Sequence, residues 1–161
     1  MTARTHTLTM PGAMLQRGFW LYVWRVDTPQ GEMLYVGRTG DNPSPNAAPP
    51  YARMGQHLGH VKASNALRTH LLRVGIAPEE CKEFSFIAHG PIYPEQKDME
   101  AHRGPRNIVA ALEKELACAL GSVGYNVLNT VRSRQPLDSE AWDKVKAAFS
   151  EHFPALGRAS R

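Results

Sequence analysis

Two short runs rich in aromatic and β-branched residues, separated by a turn, constrain most strongly what this chain folds into. Residues 20–26 read Trp-Leu-Tyr-Val-Trp-Arg-Val and residues 32–36 read Glu-Met-Leu-Tyr-Val. Between them, Asp27, Thr28, Pro29, Gln30 and Gly31 are the residue types that turns favour. The pair predicts two strands joined by that turn. Strand alternation puts Trp20, Tyr22 and Trp24 on one face and Leu21, Val23 and Arg25 on the other.

The rest of the chain supplies helices and one further strand. Gly37 closes the second strand, either as a plain strand-ending glycine or because a side chain there would obstruct close approach of a phosphate. Residues 40–50 have the composition of an irregular loop, long enough to serve as a substrate-contacting insertion. Short helices are predicted over 51–59 and 64–74. The second has Ser64 as its N-cap, Leu67, Leu71 and Val74 inward, and Gly75 as its stop. Residues 83–88 alternate as a third strand, and 89–105 carry turn signals and polar residues. The clearest helical pattern runs from 106 to 120, with Val109, Leu112, Leu116 and Ala119 at core spacing and Gly121 and Gly124 closing it. A short extended piece over 126–130 precedes an amphipathic helix over 138–149, whose stripe is Trp142, Val145 and Phe149. The expected architecture is α/β, a small three-stranded antiparallel sheet flanked by helices. The 161 residues suit one domain. Residues 1–17 read as a weakly ordered lead-in, 18–130 as the main domain, and 131–161 as a helical extension packed on it.

Charge narrows the partners. The net charge is +4, and it is unevenly placed. Through Gly75 there are eight Lys/Arg against three Asp/Glu; from Ile76 onward there are eleven against twelve. The half that holds the tyrosines is therefore the basic one, which suits a polyanion as well as an ordinary solvated surface. No apolar run approaches the roughly 18 residues of a membrane span. The first residues lack the apolar core of a signal peptide. Cys81 and Cys118 have neither metal-ligand spacing nor the number for a disulfide framework. A soluble, cytoplasmic protein is expected.

Five elements follow one another in order: Leu21-Tyr22-Val23, Tyr35-Val36-Gly37, Arg53 with His57 four residues on, Glu113, and Asn126. This series resembles the GIY-YIG nuclease family, over roughly residues 18–129. Leu21 stands where small or branched residues are usual, and the glycine that opens the first motif is displaced to Gly18. The resemblance implies an endonuclease that hydrolyses DNA phosphodiesters with Mg²⁺, for which Mn²⁺ can substitute. Glu113 would hold the metal as a hard oxygen ligand. Glu115 is the competing choice, on the opposite side of the apolar stripe. Arg53 would neutralise the phosphoryl oxygens with its planar fork. Tyr22 would orient or deprotonate the water if its pKa is lowered, Tyr35 would hold the same water or a phosphate oxygen, and His57 would accept or relay the proton. Gly37, Arg38 and Arg68 would contact phosphate, and the Asn126 side chain would tie the last segment to the catalytic helix.

Taken singly, each of these residues has a plainer reading: tyrosines in aromatic strands are core residues, and a lone arginine is surface. Only the ordered set points to catalysis. A non-cleaving nucleic-acid-binding module with the same fold is the alternative, and an interaction domain with a sticky aromatic sheet is the third reading. No zinc finger or helix-turn-helix signature is present to read bases. Sequence specificity would fall to the 40–50 loop, the 64–74 helix, or pairing of two copies as a homodimer.

Overall fold

The computed structural model describes residues 2–158. Strands β1 (Phe19–Thr28) and β2 (Gly31–Arg38) form the hairpin, and β3 (Glu83–Tyr93) lies on the other side of β1. The order is β2-β1-β3, antiparallel throughout. The hairpin turn is tighter than its five-residue signal suggested, because Thr28 pairs directly with Gly31. The Thr28 hydroxyl fixes it, donating to Gly31 O at 2.7 Å and accepting from Gln30 N at 3.0 Å.

As the central strand, β1 is buried on both faces, and the alternation read from the sequence separates two apolar layers. Tyr22, Trp24 and Val26 face Met33, Leu67, Leu71 and Ile76. Leu21, Val23, Leu34 and Val36 face Val109, Leu112, Leu116, Val145 and Phe149. Helices α1 (Pro50–Leu58) and α2 (Ala66–Arg73) thus cover one face. Helices α3 (Met99–Ser122), α4 (Ser139–Ser150) and α5 (Pro154–Arg158) cover the other. Each fully buried Leu, Val or Phe contributes about 1.5–3 kcal/mol, so the two layers are the fold's main support. Arg25 ties the C-terminal helices to the sheet: its guanidinium lies 4.4 Å from the Phe153 ring centroid and donates to His152 O at 3.0 Å.

Several local expectations are corrected. β3 runs on to Tyr93, and α3 begins at Met99 rather than 106, because Asp98 caps it by accepting from Ala101 N at 2.9 Å. Pro105 sits inside that helix, where the missing N–H and ring clash are outweighed by a long buried stripe that starts at His102. Asn65, not Ser64, occupies the N-cap of α2, and the Ser64 hydroxyl turns back to Val61 O. Val74 is 42% exposed rather than inward, since α2 ends one residue earlier, and Gly75 with φ of +80° turns the chain away. Ala119 is only half-buried. The 40–50 loop is not irregular throughout its length: Ala47 is fully buried, accepts from Gly18 N at 3.0 Å and donates to Glu95 Oε2 at 2.8 Å, while Asp41, Asn42 and Pro43 are exposed.

The segment after α3 returns to the sheet. Val127 makes a parallel bridge to Leu34, closed by Leu34 N to Asn126 O and Leu128 N to Leu34 O, both 2.8 Å. Among the described residues, no helix is long and apolar enough to cross a membrane.

Candidate active site

The hairpin register creates the centre of the site. Tyr22 stands opposite Gly37 and Trp24 opposite Tyr35, so both tyrosines share the α1/α2 face. Gly37 is bare for a reason the sequence did not disclose. A Cβ there would collide with the outer ring atoms and hydroxyl of Tyr22, so the tyrosine lies across the glycine. The expected phosphate approach at Gly37 is therefore corrected: a phenol ring occupies that space. Nor does Gly37 end the strand, which continues to Arg38.

Helix α1 starts with Pro50 in its first turn, where proline costs no hydrogen bond. It brings Arg53 and His57 to the tyrosines from above. His57 Nε2 lies 3.0 Å from the Tyr22 hydroxyl, and its ring meets Tyr35 edge-on at 5.1 Å between centroids. His70 of α2 packs against Tyr35 at 5.6 Å between ring centroids. Arg53 forms an ion pair with Asp41. On the sheet margin beyond Gly37, Arg38 Nε donates to Glu113 Oε2 at 2.8 Å. The layer of α3 lies on the opposite face, and Glu113 flanks its apolar stripe to reach the end of β2. Glu113 rather than Glu115 takes this place.

Burial governs the electrostatics. Tyr22 is held well above its ordinary pKa, first by burial and then by Tyr35. Tyr35 is pushed up to about 12 by burial, with Glu113 and Asp41 adding to the shift. In the metal-free chain both hydroxyls therefore stay protonated at neutral pH. His57 is pushed down to about 4 by burial and by Arg53, so its imidazole is neutral. Glu113 is raised to about 7 by burial, with Arg38 acting in the opposite direction. A buried carboxylate whose charge is so incompletely balanced favours an added cation. The Arg38 Nη1 and His57 Nδ1 atoms are also buried without a partner, polar capacity that the free chain does not use.

Two of the expected site residues lie elsewhere or act differently. Arg68 is committed to structure: its Nε donates to Leu58 O at 2.9 Å and its Nη2 pairs with Glu79 at 2.7 Å. Asn126 is exposed and contributes its main-chain carbonyl, not its side chain. The clamp is Asn129, whose amide donates to Val36 O at 2.7 Å and accepts from Val36 N at 3.0 Å.

Asp41 was missed. Its signal was its isolation, as the one acidic residue between Glu32 and Glu79 in the basic half. The two residues before it are fixed: Thr39 Oγ1 donates to Gly18 O and accepts from Trp20 N, and His102 Nε2 lies 2.9 Å from Gly40 O. Among the described residues no three His, Cys, Asp or Glu side chains converge as a metal cluster. A cation at this site would have Glu113 as its protein ligand. No family model, curated protein or solved structure matches the chain.

Proposed function

We propose that this chain is a metal-dependent endonuclease of GIY-YIG type that hydrolyses phosphodiester bonds in DNA. One observation carries the reading. Residues scattered over β1, β2, α1 and α3 converge into a single polar cluster with two phenols, a neutral imidazole, two arginines and a buried carboxylate. Hydrolysis of a phosphodiester needs an activated water and charge stabilisation on the phosphoryl oxygens, and this set offers groups for both.

Glu113 fits Mg²⁺ or Mn²⁺, because a hard dication binds through few carboxylates and keeps its waters, and because burial leaves this carboxylate short of positive charge. Bound there, the ion supplies Lewis-acid stabilisation of the phosphoryl oxygens. The chain's own residues do the rest. Tyr35 and Tyr22 hold the attacking water with neutral hydroxyls. Tyr22 takes the water's proton as it passes its own to His57 Nε2; the imidazolium, which burial and Arg53 disfavour, gives that proton up again to solvent, and water protonates the leaving oxygen. Arg53 exchanges Asp41 for the phosphoryl group and balances the charge that develops in the transition state. The basic N-terminal half draws the polyanion in.

Purified protein incubated with supercoiled plasmid tests this directly. Nicking should require Mg²⁺ or Mn²⁺ and disappear in Glu113→Ala. DNA binding that weakens steeply with salt but is never accompanied by nicking would leave the non-cleaving module instead.

A further inference from the structure

One buried titratable side chain takes no part in the mechanism above. His102 is fully inaccessible and opens the buried stripe of α3, which continues through Val109, Leu112 and Leu116. Its Nδ1 has no hydrogen-bond partner among the described residues, and its ring makes one hydrogen bond, from Nε2 to Gly40 O at 2.9 Å. A carbonyl oxygen only accepts, so Nε2 donates. Filling the stripe needs no imidazole, since an apolar side chain there would bury no unsatisfied nitrogen. The bond to Gly40 is what the histidine adds.

That bond reaches the polar cluster through the backbone. Gly40 O belongs to the rigid peptide unit that also contains Asp41 N and Cα, so holding the one holds the others. The unit is supported from two further directions. Gly40, with φ of +80°, lies against the Phe19 ring, which an added Cβ would strike, and Phe19 packs on His102 at 4.9 Å between centroids. Thr39 is tied to β1 by its amide, which donates to Trp20 O at 3.0 Å, as well as by its hydroxyl. From this mount Asp41 makes its ion pair with Arg53. A long flexible side chain loses freedom when it grips a phosphate, and a partner that holds it in place beforehand spares much of that loss.

We propose that His102 is a positioning residue: through Gly40 O it fixes Asp41, and through Asp41 it aims the Arg53 guanidinium before substrate arrives. On the nuclease reading above, on which this last consequence rests, that aim sets the rate of cleavage. The link runs from α3 to α1 by way of the loop that leaves β2. About three turns further along α3, Glu113 holds Arg38 in a separate ion pair. The two arginines are therefore held independently, and Arg38 reports on the integrity of the site when His102 is changed.

The measurement is NMR relaxation of the arginine Nε–Hε groups in the metal-free protein, with the Arg53 signal identified by its loss in Arg53→Lys. Arg53 and Arg38 should both be ordered, and the exposed Arg132 mobile. His102→Leu fills the site without a donor; it should drop the Arg53 order parameter below about 0.6, the flexible range, and leave Arg38 unchanged. His102→Gln, whose amide donates to the same carbonyl, should restore it. Should leucine fail to fold, His102→Met takes its place, because its adaptable side chain fills the same space. Single-turnover nicking with Mg²⁺ should fall about tenfold or more in His102→Leu while DNA affinity stays within about twofold, as misplacement of a group at constant binding predicts. In an Asp41→Asn background, where the link is already cut, His102→Leu should leave Arg53 as it is and change nicking by no more than about twofold. An Arg53 as ordered in His102→Leu as before, a parallel fall at Arg38, or no rescue by glutamine overturns the positioning role. An unaltered protein that never nicks, with Arg53 still responding to His102 as stated, overturns the nuclease reading alone.

Discussion

Gly37→Ala tests the geometry at the centre of the site without assuming any function. The new methyl would overlap the Tyr22 ring and hydroxyl, which sit in a fully packed layer beneath α1. Overpacking of this kind costs about 1–3 kcal/mol. Displacing the ring also breaks the 3.0 Å contact to His57, worth about 1 kcal/mol. The expected loss is therefore about 2–4 kcal/mol, and at about 2–4 °C per kcal/mol for a chain of this length the melting temperature should drop by about 4–16 °C. Urea titrations of a double-mutant cycle isolate the cause. In a Tyr22→Leu background the shorter side chain ends before residue 37, and Gly37→Ala should then be close to neutral. The coupling energy should be about 2 kcal/mol or more. A coupling below about 0.5 kcal/mol would mean that the glycine does not make room for the tyrosine, and the account of the site's centre would fail with it.

Other expectations follow from the same arrangement. Glu113→Ala should abolish metal-dependent nicking while leaving DNA affinity equal or higher; loss of nicking in Glu115→Ala, with Glu113→Ala active, would reverse the assignment. Asp41→Asn should free Arg53 and strengthen DNA binding about tenfold at low salt, with a steeper salt slope; unchanged affinity would show that Asp41 does not compete with phosphate. Because Glu113 is raised from 4.5 to about 7, the metal-free folded chain keeps a proton that the unfolded chain releases. Its contribution is fully present below about pH 4.5 and is lost as pH climbs through 7, by about 3 kcal/mol at most. His57, lowered from 6.5 to about 4, acts in the opposite sense, its contribution disappearing as pH falls over that window. The difference in urea stability between Glu113→Gln and the unaltered protein should therefore change by that amount between pH 4.5 and 7. A pH-independent difference refutes the buried-carboxylate reading.

The hairpin was legible in the sequence because β-branched and aromatic runs with strict alternation leave few alternatives, and the structure keeps the two faces as read from Leu21 onward, with a register irregularity at Trp20. The Trp142–Val145–Phe149 stripe was legible for the same reason, with Val145 and Phe149 fully in the core. What escaped was decided by long-range partners. Gly90, Pro91, Pro94 and Pro105 read locally as breaks, yet strand pairing with β1 carries β3 to Tyr93 and Asp98 starts α3 ahead of Pro105. Tyr22, Tyr35, Arg53, His57 and Glu113 could be picked out by type and order, but not their protonation, which follows from burial. Asp41 and Asn129 depend on which loop atoms face which strand, and no local pattern encodes that.

The 126–129 return covers the open border of the sheet. β2 is an outer strand, and an outer strand offers its free amides and carbonyls to any other extended chain. Here Asn126, Leu128 and the Asn129 amide occupy the Leu34 and Val36 main-chain groups on that flank. The segment works as a permanent splice along the sheet's open border. Without that return, the border beside Tyr35 would present free amides and carbonyls on which an extended strand of a second copy could pair.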